Sequence, residues 1–138
     1  MIQAFRDFMT GIFSLRMGWK IWLFCLMTVN LFIPAFFYHT QEAQFTIVAF
    51  FVSGIIGIVL VKIQGFTRLL GLMHTPWIPL EIYLIWQLNM YPASQPMGLW
   101  IRGLIILNGI SLIIDLLDVV RYILGERKII GANLNNYP

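Results

Sequence analysis

The chain has 138 residues, of which 59% are hydrophobic and only 11% charged, against roughly 45–50% and 25% in soluble domains. With a mean hydropathy of +0.82, that composition excludes an ordinary water-soluble domain and implies an integral membrane protein of one domain. The formal charge of +3 comes from only 15 charged side chains, so it points to membrane topology and anionic headgroups, with no nucleic-acid partner expected.

Residues 1–16, MIQAFRDFMTGIFSLR, set Ile2, Phe5, Met9, Ile12 and Phe13 at helical spacing opposite Gln3, Arg6, Asp7, Thr10 and Ser14. Bulky apolar residues opposite a polar face predict an amphipathic helix lying in the membrane interface, with docking onto a protein partner as the competing reading. The first span is expected at 19–38. Trp19 and Trp22 supply one aromatic belt, and Phe36, Phe37 and Tyr38 the other. Pro34 should kink this helix, and Asn30 reads as a hydrogen bond between helices. The lone Cys25 lies in the same run as a small buried hydrophobe. This run is too long for a signal-peptide core and lacks an A-x-A-like site, so no cleaved leader is expected.

The second span is predicted at 43–61. Ala49, Ser53 and Gly57 repeat every fourth residue and lay a strip of small side chains along one face for helix packing, within the chain or between copies. The connection KIQGFTRLLGLMHT at 62–75 is too apolar for an ordinary loop. Thr75-Pro76 then offers a cap followed by a first-turn proline. From Pro76 to Tyr91 a helix would rise only about 24 Å, short of a hydrocarbon core of about 30 Å. The third span is therefore assigned to 69–91, with its first residues dipping into the membrane as irregular backbone, which at that depth needs protein or water around it.

The fourth span, 98–124, carries Asp115 and Asp118 inside an otherwise apolar run. At about 100° per residue, Asn108, Ser111, Asp115, Asp118 and Tyr122 share an arc of roughly 80°. Ionisable groups in a membrane segment are costly and mark candidate functional sites. With Arg68, His74, Glu81 and Arg121 in the cytoplasmic half, they form one predicted polar cluster if the third and fourth spans pack together. Three readings follow. In the first they are structural ion pairs, Asp118 with Arg121 and Arg68 with Glu81 or Asp115. In the second they line a proton or cation path that fades outward at Leu104 and Ile101. In the third, a lipid or quinone binds between the broken third span and the fourth. His74, Glu81 and Asp115 are a weak metal set, His39 and His74 lie at opposite ends, and no nucleophile–histidine–acid set or phosphate loop is legible. No metal, cofactor or enzymatic activity is expected.

Residues 125–138 read as a cytoplasmic tail. Of the nine Lys and Arg, eight fall on one side of a four-span arrangement, Arg102 being the exception, which predicts both termini inside. Two stretches, GFTRLLGLMHTPWIPL at 65–80 and IDLLDVVRYILGER at 114–127, resemble those of small four-span bacterial inner-membrane proteins with no assigned activity. The resemblance implies a multi-pass inner-membrane location and adds no substrate or site residue. The expectation is thus an all-α, four-span protein with an interfacial first helix. Its leading function is a non-enzymatic accessory or scaffold subunit that contacts lipid and forms a homo-oligomer or joins a larger membrane complex. An ion-coupled transporter or channel subunit is the alternative, and lipid or quinone binding the third.

Overall fold

The computed structural model describes residues 1–130, which are helices joined by turns and short irregular stretches, with no strand among them. In chain order these are α1 (Ile2–Ser14), α2 (Met17–Phe36), α3 (Gln41–Gln64), a 3-10 segment (Arg68–His74), α4 (Trp77–Gln87, extended by a 3-10 turn at Leu88–Met90) and α5 (Pro96–Ile123). Three of them, α2, α3 and α5, are long and apolar enough to cross a membrane, and the chain is a helical membrane protein. Large apolar side chains such as Phe24, Phe51, Ile55, Ile106, Ile113 and Leu117 stand exposed on these helices, as surfaces facing lipid require. The stretch expected as a third span is instead two pieces. The helix proper has 11 residues, a rise of about 16 Å, preceded by seven residues of 3-10 turn. The predicted tail beyond Ile130 lies outside the described residues.

The kink expected at Pro34 takes a specific form. Residues Thr28–Phe32 form a π-helical turn in which the Ile33 N–H reaches back five residues to the Thr28 carbonyl. The extra residue relieves the crowding that a proline ring imposes on the carbonyl four residues earlier. It also leaves the Val29 carbonyl without its usual intrahelical donor, and the Trp100 indole N–H takes it at 2.9 Å. One residue on, Asn30 and Asn108 exchange two side-chain hydrogen bonds, 2.7 and 3.0 Å long, and both are fully buried. Asn30 also donates to the Leu26 carbonyl at 2.9 Å. Where lipid offers no hydrogen-bonding alternative, such a matched pair aligns two helices.

The strip of small residues on α3 is used within the chain: Ala49, Ser53 and Gly57 are all buried. A Cβ on Gly57 would meet the Phe8 ring at 3.0 Å and Met73 at 3.2 Å, so α1 and the 3-10 segment both lean on that spot. Helix α1 docks through Ala4, Phe8 and Gly11, and a side chain at Gly11 would overlap the Phe66 ring. The predicted apolar face splits. Met9 and Ile12 pack partly against Phe8, Val61 and Phe66, while Ile2, Phe5 and Phe13 stay exposed. The main core lies further along the bundle, where Leu26, Trp77, Leu84, Trp100, Ile101 and Leu104 meet.

At the other end, Thr40 caps α3 by accepting from the Ala43 N–H. Glu42, which the sequence reading left in a loop, is buried in the first turn and accepts from the Tyr83 hydroxyl at 3.3 Å. Replacing Trp100 with Phe keeps most of the apolar ring but leaves the Val29 carbonyl unpaired. The variant should lose about 1 kcal/mol of stability, seen as a lowered Tm in detergent, whereas Trp86→Phe, at an exposed position, should leave Tm unchanged.

Candidate functional site

The polar arc of α5 faces inward along its whole length. Asn108 and Ser111 are buried, Asp115, Asp118 and Tyr122 half-buried. What meets the carboxylates is the 3-10 segment, which lies on α5 more closely than any other two elements approach. The approach depends on Gly71, where a Cβ would stand 2.8 Å from the Asp115 carbonyl and 3.0 Å from its Cα. With no side chain there, Arg68 on one side and His74 on the other reach α5. Gly65, at φ +72°, makes the turn out of α3 that aims the segment, a backbone state that L-residues adopt only with strain.

The pairings differ from those expected. Arg68 takes Asp118, Nη1 to Oδ1 at 2.5 Å, and also Glu126, Nε to Oε2 at 3.1 Å. Arg121 turns away from Asp118 and meets Glu126 at 3.4 Å. Asp115 is held by His74, Oδ2 to Nδ1 at 2.7 Å, and the imidazole stacks on Trp77 with ring centroids 4.1 Å apart. Tyr122 lies under the Arg127 guanidinium, 5.4 Å from its carbon to the ring centroid. Glu81 does not join this group. It is buried one turn along α4, facing Asn108, and its Oε1 has no hydrogen-bond partner among the described residues. The predicted cluster is therefore two sites: an ion-paired one around Arg68 and His74, and an uncharged amide pair with Glu81 beside it. No three His, Cys, Asp or Glu side chains among the described residues come together as a metal-holding group.

A slot of about 450 Å³ opens against the first of these sites, within the roughly 300–1,000 Å³ of small-molecule sites. One wall is Trp19, Trp22, Leu23 and Leu26 of α2; the opposite wall is Ser111, Ile114, Asp115 and Asp118 of α5. The 3-10 segment forms the floor with Leu70, Gly71, Met73 and His74, and the α1–α2 joint closes one end with Ile12, Leu15 and Arg16. Both long walls stop one turn short of the Asn30–Asn108 pair, so that clamp, together with the π turn, sets where α2 leaves α5 and the slot begins. After α5 the chain folds back over the mouth. The Ile130 N–H donates to the Phe66 carbonyl at 2.8 Å, and the Ile130 side chain lines the slot.

Sequence reasoning found the polar wall, because charges in an apolar helix stand out. It missed Arg16, Trp19, Trp22 and Thr67 as neighbours of that wall, since nothing in local spacing brings α2 to the second half of α5. No family model, characterised protein or solved structure matches the chain, so its chemistry is read from these residues alone.

If Gly71 is what allows both pairings, the two effects must be coupled. Asp118→Asn should cost about 1–3 kcal/mol in the otherwise unaltered protein. In a Gly71→Ala background it should cost less than half as much, measured by thermal unfolding in one detergent. Equal costs in both backgrounds would show that the close approach does not carry the Arg68–Asp118 pair.

Proposed function

We propose that this is a non-enzymatic membrane protein whose task is to hold an amphipathic molecule of the surrounding leaflet in the slot beside His74 and Arg68. The observation that carries this reading is the slot itself. It has aromatic and aliphatic walls of the kind that take an acyl or isoprenoid chain, and one polar edge able to orient a headgroup. The protein acts in this way alone or as the ligand-holding subunit of a larger assembly. The reading is preferred to a pure scaffold because the small-residue strip, which motivated self-association, is buried within the chain, with Phe8 and Met73 against its Gly57.

With this function goes a four-crossing arrangement in a bacterial inner membrane, both termini cytoplasmic. Helix α4 falls short of about 30 Å of hydrocarbon, and the Arg68–His74 segment supplies the remaining depth, sheltered by α3 and α5 as irregular backbone in a membrane must be. The distribution of Lys and Arg supports the orientation, since in this arrangement all of them but Arg102 fall on the side that carries α1, the 3-10 segment and the end of α5. The exposed Ile2, Phe5 and Phe13 of α1 then rest in the cytoplasmic interface.

Protein purified in a mild detergent should retain close to one amphiphile per chain by native mass spectrometry. Ile114→Trp, which fills the slot from the α5 wall, should abolish retention while preserving helical content. Wild-type protein that carries nothing, or an Ile114→Trp variant that carries as much as wild type, overturns the proposal.

One observation favours a second reading. Asp115 and Asp118 have basic partners, but Glu81 is buried beside Asn108 with an unpartnered oxygen, as a carboxyl that exchanges a proton or cation would be. On that reading, proteoliposomes show proton or cation flux that Glu81→Gln removes and Asp118→Asn leaves in place. Absence of flux, or flux indifferent to Glu81→Gln, discards it.

A further inference from the structure

The pairing around the slot is uneven, although Arg16 and Arg68 among its lining equal Asp115 and Asp118 in formal charge. Arg68 is matched by Asp118 and Glu126, and Asp115 by His74. Arg16 also lines the slot, yet no carboxylate lies within 4 Å of its guanidinium among the described residues. It stands at the joint where α1 ends and α2 begins, and the α2 N-terminus beside it has no side-chain cap. A second group there is incomplete. Thr67 lines the slot at 3% exposure, and its hydroxyl has no hydrogen-bond partner among the described residues. A buried unpaired hydroxyl is disfavoured in a folded protein unless something else supplies the acceptor. An exposed guanidinium without a carboxylate beside it and a buried hydroxyl, both among the lining of a largely apolar slot, complement an oxyanion attached to a hydrocarbon chain.

Building on the slot reading, we infer that the occupant is an anionic phospholipid whose phosphodiester is bound by Arg16 and the Thr67 hydroxyl. One acyl chain runs between Trp22 and Leu70 toward the Asn30–Asn108 clamp. The guanidinium pairs with the phosphate oxygens through charge-assisted hydrogen bonds, and the Thr67 O–H donates to the same group. Because Arg68 and His74 are engaged, the site discriminates by headgroup charge through Arg16. A lipid with its own cationic headgroup gains less there, since its phosphate is already partly neutralised.

The test is native mass spectrometry of the full chain in a neutral detergent, offered equal amounts of phosphatidylglycerol and phosphatidylcholine with the same acyl chains. Wild type should retain the anionic lipid over the zwitterionic one by about fivefold, the effect of one basic side chain at an anionic surface. Arg16→Gln should erase that preference, Arg16→Lys should keep most of it, and Thr67→Val should weaken retention of the anionic lipid. Lys62→Gln, a cation outside the slot, should change nothing. Millimolar inorganic phosphate should not displace the lipid; displacement would make the ligand a free anion and overturn the assignment. Equal retention of the two lipids by wild type, or a preference that survives Arg16→Gln, overturns the headgroup assignment and leaves the slot reading standing. Retention of neither lipid overturns the phospholipid assignment, and overturns the slot reading as well where the purified chain carries no other amphiphile. Helical content and Tm measured on each variant separate loss of binding from loss of fold.

Discussion

Water is absent from a bilayer core, so a buried amide or carbonyl in this protein has only other protein groups to satisfy it. The Asn30–Asn108 pair is where that constraint acts most strongly. Two fully buried amides each donate to and accept from the other, which joins α2 to α5 at one height and in one rotation. Other features follow from it. The π turn beside Pro34 frees the Val29 carbonyl for Trp100, adding a second tie at the same level. Past that level α2 is free to diverge, and the divergence is the slot.

The second constraint is steric. A 3-10 run of seven residues is long for that geometry, and it lies against α5 because Gly71 has nothing to keep it away. That closeness distributes the charges. Once Arg68 and His74 are within reach, Asp118 takes the Arg68 guanidinium and Asp115 the His74 imidazole, and Arg121 is left to Glu126 beyond the helix end. A carboxylate with a basic partner at hydrogen-bond distance is a poor candidate for an ion path and a good device for locking two elements. The polar arc of α5 is thus a lock along one edge and the polar side of a binding slot along the other. Both uses depend on the same exposure of Asp115 and His74 to the space between helices.

The clamp and the lock divide the bundle into two zones with different roles. Around Trp77, Leu84, Ile101 and Leu104 the helices close on one another and hold the fold together. At the end that carries both α1 and Ile130 they do not close. That end is instead bounded by pieces that are individually weak: a short amphipathic helix held by Phe8 and Phe66, a 3-10 segment, and a returning strand of irregular chain. Elements with few buried apolar neighbours are the ones that open most readily. A slot bounded by them is the part of the fold best placed to open for the proposed amphiphile while the closed zone stays intact.

Composition and periodicity by themselves determined that the chain is helical and membrane-embedded, with long apolar helices near 19–38, 43–61 and 98–124. They also determined which face of α5 is polar, because an apolar solvent makes every Asn and Asp in such a helix conspicuous. Pro34 announced a distortion, and Gly65 and Gly71 marked the region of the broken segment. Tertiary structure decided who meets whom. Arg68 chooses Asp118 over Asp115 and Glu81, His74 takes Asp115, and Glu81 falls to the Asn108 level, outcomes that depend on distances across elements far apart in the chain, 50 residues for Arg68–Asp118 and 41 for His74–Asp115. It also brought Arg16 and Thr67 to the slot, from a joint and a loop with no periodic signal. Local sequence sets the face a side chain occupies, whereas the partner on that face is set by how closely two helices approach, and here one glycine and one pair of amides govern that approach.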